Sequence, residues 1–233
     1  MISFVVPALN EEKLIVRCIQ SIICEAGNTT YEIIVVDNGS TDNTAVLAKL
    51  AGAKVIVEPT KGLTRARQAG YLASQYDLIA CIDADNVLPC GWLNEAMAAM
   101  KFDVVVASGP IFYLGFGLFK TIVTSLFYSM GNLLNRWFPM VQGGNFIIRR
   151  SALDAIGGFD TTIDFYGEDT DIANRVSEIG KVEFFFDMWA YSSSRRADSE
   201  GLYVMGAKYI TNFFWVHLFG HPFTEVSRDI RPE

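Results

Sequence analysis

The chain has 233 residues, 51% of them hydrophobic and 19% charged, with a formal net charge of −7. That length fits one large domain or a domain with a short appendage, and the apolar content supports a core that a disordered chain would lack. The acidic balance argues against a broad nucleic-acid footprint. Cys18, Cys24, Cys81 and Cys90 show neither zinc nor redox spacing, which predicts reduced thiols in a cytoplasmic protein. The opening MISFVVPALNEE has no basic segment and its apolar run stops at Pro7, so no signal peptide is predicted.

In chain order, ISFVV reads as a buried strand, followed by a helix from about Asn10 to Ala26. YEIIVVD is the second strand and TDNTAVLAKLA the second helix; AKVIVE is the third strand and GLTRARQAGYLASQ the third helix. DLIACID is the fourth strand, and it delivers two carboxylates one residue apart, Asp83 and Asp85. Short loops between alternating strands and helices predict an α/β fold: a Rossmann-like, mostly parallel sheet with helices on both faces. In such sheets ligands gather beyond the carboxyl ends of the strands. PALNEE, DNGSTDNT and DADN all lie there, so three polar clusters converge on one edge.

Residues 118–137 have helical periodicity, with Phe119, Ile122, Leu126, Met130 and Leu133 on one face and Lys120, Thr124, Asn132 and Arg136 largely opposite. The later YITNFFWVHLFGHPF is similarly aromatic. Two readings stand: these segments pack on the core or on a second copy of the chain, or they lie on a bilayer surface at the inner face of a membrane. Nothing is expected to span, because the uncharged stretches 104–119, 121–135 and 209–224 all fall short of about 18 apolar residues.

The site can be narrowed by elimination. The dinucleotide fingerprint G-x-G-x-x-G, the phosphate loop G-x-x-x-x-G-K-[ST] and the G-x-S-x-G elbow are all absent. What remains is a carboxylate-rich edge with arginines nearby. Two acids so close repel unless positive charge sits between them. A D-x-D pair at a strand end suits a hard cation such as Mg²⁺ or Mn²⁺, which prefers carboxylate oxygens and keeps positions open for phosphates.

VVPALNEE, VVDNGSTDNT, GLTRARQAG, DADN, GGNFIIRR, GGFD and GEDTDIANRV occur in this order. Together they resemble glycosyltransferase family 2 with the GT-A fold, over residues 2 to about 196. The resemblance implies an inverting, metal-dependent enzyme that moves one sugar from a UDP- or GDP-linked donor to a glycan or lipid-linked (polyprenyl) acceptor. It implies a GT-A domain over 1–196, with a nucleotide-sugar half (1–100) and an acceptor and catalytic half (101–196). A C-terminal aromatic helical segment (197–233) would follow.

By the same resemblance, the Pro7-Ala8-Leu9 backbone, Glu11 and Asp37 form the base and ribose pocket, and Arg67 approaches the nucleotide. Asp83, Ala84 and Asp85 form the motif that holds Mn²⁺ or Mg²⁺, with Asp85 the direct ligand. Gly143, Gly144 and Asn145 shape the donor pocket. Arg195 and Arg196 face the diphosphate, where bidentate Arg–phosphate contacts are strong. Asp169, next to Glu168 at a helix start, matches the catalytic base; helix capping is its bland alternative. Phe165 and Tyr166 belong either to an acceptor platform or to the core.

The chain departs from the family pattern in places. There is no Q-x-x-R-W, which implies one sugar per encounter. Asn38 stands where many relatives have a second acid, and DADN lacks a third. Two other functions compete: a catalytically silent module that binds a sugar nucleotide, and nucleotidyl transfer to a sugar phosphate. The latter would carry a basic Gly-rich loop after the first strand, and PALNEEKL is not one.

Overall fold

The computed structural model describes residues 1–224; the last part of the expected C-terminal segment, 225–233, lies outside the described residues. Three layers form the body. Seven strands are ordered β3-β2-β1-β4-β7-β5-β8, comprising β1 (Ile2–Ala8), β2 (Tyr31–Asp37), β3 (Lys54–Val57), β4 (Leu78–Ile82), β5 (Val104–Ser108), β7 (Asn145–Arg149) and β8 (Lys181–Phe184). All neighbours are parallel except β7, which runs antiparallel to both β4 and β5.

The period of two in β1 assigns its side chains to the two faces. Phe4 and Val6 join the layer of α1 (Ile15–Ala26) and α4 (Trp92–Ala99), where they meet Ile15, Ile19 and Trp92. Val5 points the other way, with Ile34, Val36 and Cys81, into the layer of α3 (Leu63–Ala73), α6 (Arg150–Ile156) and α7 (Glu168–Ser177). Because both faces are covered, β1 is buried at every position and is apolar throughout but for Ser3, whose hydroxyl donates to Glu32. Helix α3 lies so close to β1 that a Cβ on Gly70 would sit 2.2 Å from Val5 Cγ1.

The first helix is shorter than its apolar spacing predicts. Residues 10–14 are held instead by the loop before α2 (Thr44–Leu50): the Asn10 N–H donates to Ser40 Oγ and the Glu11 N–H to Thr44 Oγ1. Tertiary hydrogen bonds there outweigh helix propensity.

After β3 the connections reverse direction across the sheet, so the ends of β1 and β4 flank the topological switch point. A second small sheet pairs β6 (Ile111–Tyr113) in parallel with β9 (Ala190–Ser192) and walls that edge. Helix α5 (Leu118–Leu134) follows β6, while α8 (Arg195–Glu200) and α9 (Leu202–Phe219) follow β9. Among the described residues no helix is long and apolar enough to cross a membrane.

Candidate active site

A cleft of about 410 Å³ opens at the switch point. Pro7, Ala8, Leu9 and Glu11 arrive on the end of β1, and Asp83, Ala84 and Asp85 on the end of β4. Arg195 and Arg196 close it from α8. Nine residues read from the sequence as site candidates, distant along the chain, therefore line one cavity.

The acidic turn is built by its neighbours. Asn86 is buried; its N–H donates to the Asp83 carbonyl (2.9 Å) and its side-chain amide to the Gly144 carbonyl (2.7 Å). The residue standing where a third acid was absent is thus a clamp for the turn. A Cβ on Gly144, at φ +76°, would fall 2.2 Å from Asp83 Oδ2. Its glycine serves the Asp83 side chain, whereas the sequence reading had it admitting a ligand.

Each acid of the pair has its own cation. Arg67 Nη2 donates to Asp83 Oδ1 at 3.0 Å. Arg195 Nη2 donates to Asp85 Oδ2 at 3.2 Å and to Glu11 Oε1 at 2.8 Å. Ser193 Oγ donates to Asp85 Oδ2 (2.6 Å) and accepts from Arg195 Nε (2.9 Å). Burial, followed by repulsion from Asp85, lifts the Asp83 carboxyl above its ordinary range even against the pull of Arg67.

Several candidates sit behind the cleft wall. Arg67, expected to approach the nucleotide, has a fully buried side chain paired with Asp83 and with Glu168 at 2.5 Å. Glu168, expected beside the base, is buried on the far arm of that pair and does not line the cleft. Asn145 is also buried. Its amide donates to the carbonyls of Gly109, Pro110 and Met188, and its Oδ1 accepts from Trp92 Nε1 (2.8 Å), so its hydrogen-bonding capacity goes to the core. Asp37 is buried at the end of β2 and accepts from the Ser40 N–H (3.1 Å); Asn38 forms the cleft wall there instead.

Asp169 stands in the first turn of α7, beside the cleft. Its Oδ1 accepts from the Thr170 N–H (2.8 Å) and its Oδ2 from the N–H of Gly143 (3.2 Å), a residue of the cleft wall. The N-cap of α7 is Gly167, so Asp169 is not the capping residue, and like Glu168 it stands behind the cleft lining. Burial raises its pKa despite those two donors, which favours proton uptake. Phe165 lines the cleft under the Arg196 guanidinium, 4.5 Å from the ring centre, while Tyr166 is core.

The cleft also holds Asn38, read from the sequence only as a missing acid, and residues the sequence reading did not single out. Asn38 Oδ1 accepts from the Gly62 N–H, and its amide donates to the Glu58 and Thr60 carbonyls, which brings Lys61 to the wall. Tyr113, Gln142, Ser193 and Tyr209 also line the cleft. A cation directly before a helix (Lys61) and the serine run before RR (Ser193) were the available signals. His217 lies between Phe138 and Phe213. Among the described residues no three His, Cys, Asp or Glu side chains converge into a self-sufficient cation site.

Comparison with known proteins places this geometry. Thirty per cent of 213 aligned residues are identical to the probable glycosyltransferase YdaM of Bacillus subtilis, covering 79% of this chain and 48% of that one. An uncharacterized glycosyltransferase of Mycobacterium tuberculosis is 40% identical over 108 residues, 46% of this chain and 47% of its own. The chain spans about half the length of these curated relatives.

Among solved structures, a mannosyltransferase of Pyrobaculum calidifontis in complex with GDP-Man and Mn²⁺ superposes with a TM-score of 0.76 at 18% identity, over 93% of this chain and 64% of that one. Glucosyl-3-phosphoglycerate synthase of Mycobacterium tuberculosis, in complex with Mn²⁺, UDP and phosphoglyceric acid, gives 0.69 at 22% identity, over 98% and 81%. At these identities the two structures establish the GT-A fold. The model of glycosyl transferase family 2 matches residues 3–157, from β1 past the acidic turn to the end of α6, and the chain belongs to that family.

Proposed function

We propose that the protein is an inverting glycosyltransferase that moves one sugar from a nucleoside-diphosphate donor to a hydroxyl of a glycan or lipid-linked acceptor. The observation that carries this reading is the Asp83/Asp85 pair at the mouth of β4, sharing a cleft with Glu11, Arg195 and Arg196. The nucleotides bound by the two structural neighbours, GDP-Man in one and UDP in the other, each with Mn²⁺, support it. On this reading residues 1–100 hold the donor and 101–196 bring the acceptor.

The residues present fit a divalent cation of the hard type. Asp83 and Asp85 offer carboxylate oxygens with side chains 33% and 21% exposed. With only two protein donors, the rest of the shell is left to diphosphate oxygens and water, as Mg²⁺ and Mn²⁺ sites commonly have it. When bound, the cation neutralises charge on the departing diphosphate.

The side chains of the chain do the rest. Glu11 accepts hydrogen bonds from ribose hydroxyls, and the Pro7–Leu9 backbone flanks the base. Arg195, Arg196 and Lys61 draw the diphosphate into the cleft. Asp169 takes the proton of the acceptor hydroxyl as its oxygen bonds to the anomeric carbon and the bond to the diphosphate oxygen breaks. Glu168, Arg67 and Asn145 hold these groups in place from the core.

Calorimetric titration of UDP and of GDP, each with and without Mn²⁺, into wild type and Asp85→Ala tests the donor site. One nucleotide should bind with metal, and Asp85→Ala should weaken it at least about tenfold. Failure of both nucleotides to bind, or binding indifferent to metal and Asp85, overturns the reading. Nucleotide binding without release of nucleoside diphosphate from any sugar nucleotide would instead indicate a silent binding module.

A further inference from the structure

Helix α5 is mounted inside out. The residues it buries are Thr124 and Tyr128, while Leu126, Met130 and Leu133 are 61%, 60% and 70% exposed. Tyr128 fixes that orientation: its hydroxyl donates to Gln142 Oε1 (2.9 Å), accepts from the Ile111 N–H (3.3 Å), and its ring stacks on Phe184. The first reading of this helix, packing on the core or on a second copy, is thereby corrected in its core half, since the apolar face points outward.

Helix α9 adds to the same surface. Phe138, just past α5, packs on Phe214 and His217 of α9 at 5.5 and 5.3 Å, and Leu218 and Phe219 are exposed beyond them. Contiguous apolar surface of this kind marks a docking site.

Charge decides what docks. The sequence carries 26 Asp and Glu residues, yet none between Val104 and Leu153 and none between Gly201 and Thr224. Lys120 and Arg136 are exposed at the two ends of α5. A second copy meeting this face across a two-fold axis would offer the same two helices, neither of which carries a carboxylate, so neither helix supplies an anion to the two cations. An anionic lipid surface offers phosphates for the cations and an acyl boundary for the leucines, and it excludes carboxylates. The exposed Trp137 is of the type that settles at such a boundary.

We propose that the joined outer faces of α5 and α9 dock on the surface of an anionic lipid bilayer. The surface adjoins the cleft: Tyr209 of α9 and Gln142, the partner of Tyr128, both line it. If the transferase reading above holds, the acceptor is then an amphiphile whose accepting group sits at headgroup level.

The test is co-sedimentation of the full chain with vesicles of phosphatidylcholine alone or mixed with phosphatidylglycerol, for wild type and Leu126→Glu/Leu218→Glu. Both substituted side chains are exposed, so the fold should persist, as circular dichroism will verify. Wild type should sediment with the anionic vesicles, more weakly at high salt, and each substitution should weaken binding on the order of tenfold. No sedimentation with anionic vesicles overturns the proposal. So does a wild-type dimer that the same substitutions dissociate, which would make a second copy the occupant. Nucleotide titration of the same samples separates the two claims, because vesicle binding without nucleotide binding would remove the transferase reading and leave the docking surface standing.

Discussion

Arg67 and Glu168 form an ion pair of 2.5 Å that joins α3 to the first residue of α7, with both side chains withdrawn from solvent. The second arm of the same guanidinium holds Asp83 at 3.0 Å. One buried cation therefore ties the acidic turn after β4 to the helix that carries Asp169. Burial pushes the Glu168 carboxyl upward against the pull of Arg67, so each of the three charges depends on the others for its place in the interior.

Removing the shared cation should therefore be costly. Arg67→Met leaves Glu168 buried without its counter-charge and Asp83 unpaired at the cleft, and is expected to lose about 3–5 kcal/mol in urea unfolding, the usual penalty for breaking a buried pair. Adding Glu168→Gln should recover part of that loss, because a neutral amide needs no counter-charge. Strictly additive losses in the double variant would show that the two side chains do not act as a unit.

The close approach of Gly144 to Asp83 gives a second measurement. Gly144→Ala combines a positive φ with a Cβ 2.2 Å from Asp83 Oδ2, and is expected to lose about 1–3 kcal/mol together with metal-dependent nucleotide binding. Gly115→Ala is the control: φ is +85° there, but nothing lies within 4 Å of the added carbon. It should show backbone strain alone, with nucleotide binding intact. Equal effects of the two on nucleotide binding would rule out steric displacement of Asp83.

These tests concern residues whose roles the sequence left hidden, and the reason is physical. Apolar runs ending in PALNEE, DNGS and DADN announced β1, β2, β4 and the cleft edge, because continuous hydrophobic strands need cover on both faces and leave polar chemistry at their ends. Which polar residue faces the cleft is set by contacts far away in sequence. Asn145 looks like a site amide until Trp92 and three carbonyls claim it. Arg67 reads as an arginine that approaches the nucleotide, and the sequence gives no sign that Asp83 and Glu168 enclose it. The outward turn of α5 was equally illegible, since its periodicity marks an apolar face without saying what covers it.

Asp169 provides the kinetic test. As a general base it must be ionised to accept the acceptor proton. Its pKa is raised by burial, so activity is expected to fall, as pH drops, at a pH above the ordinary aspartate range. Asp169→Asn should lower kcat by about 10²–10⁴-fold, remove that acidic limb and leave nucleotide affinity unchanged. A variant that keeps most of its kcat would indicate an acceptor already ionised, such as a phosphate, for which no base is needed.

Arg195 is the side chain on which donor binding is expected to turn. It bridges Glu11 (2.8 Å) and Asp85 (3.2 Å), the groups proposed for ribose and metal. A divalent cation arriving alone must compete with the guanidinium for Asp85, whereas a cation arriving with a diphosphate gives Arg195 phosphate oxygens in exchange. Arg195→Met should therefore bind Mn²⁺ alone more tightly than wild type but bind the metal–nucleoside diphosphate more weakly, each by about tenfold, or one ordinary charged contact. Opposite movement of the two affinities is the signature of a side chain that changes partners. If both affinities fell together, Arg195 would simply be holding the cleft in shape; if both rose, it would be a plug with no part in holding the donor.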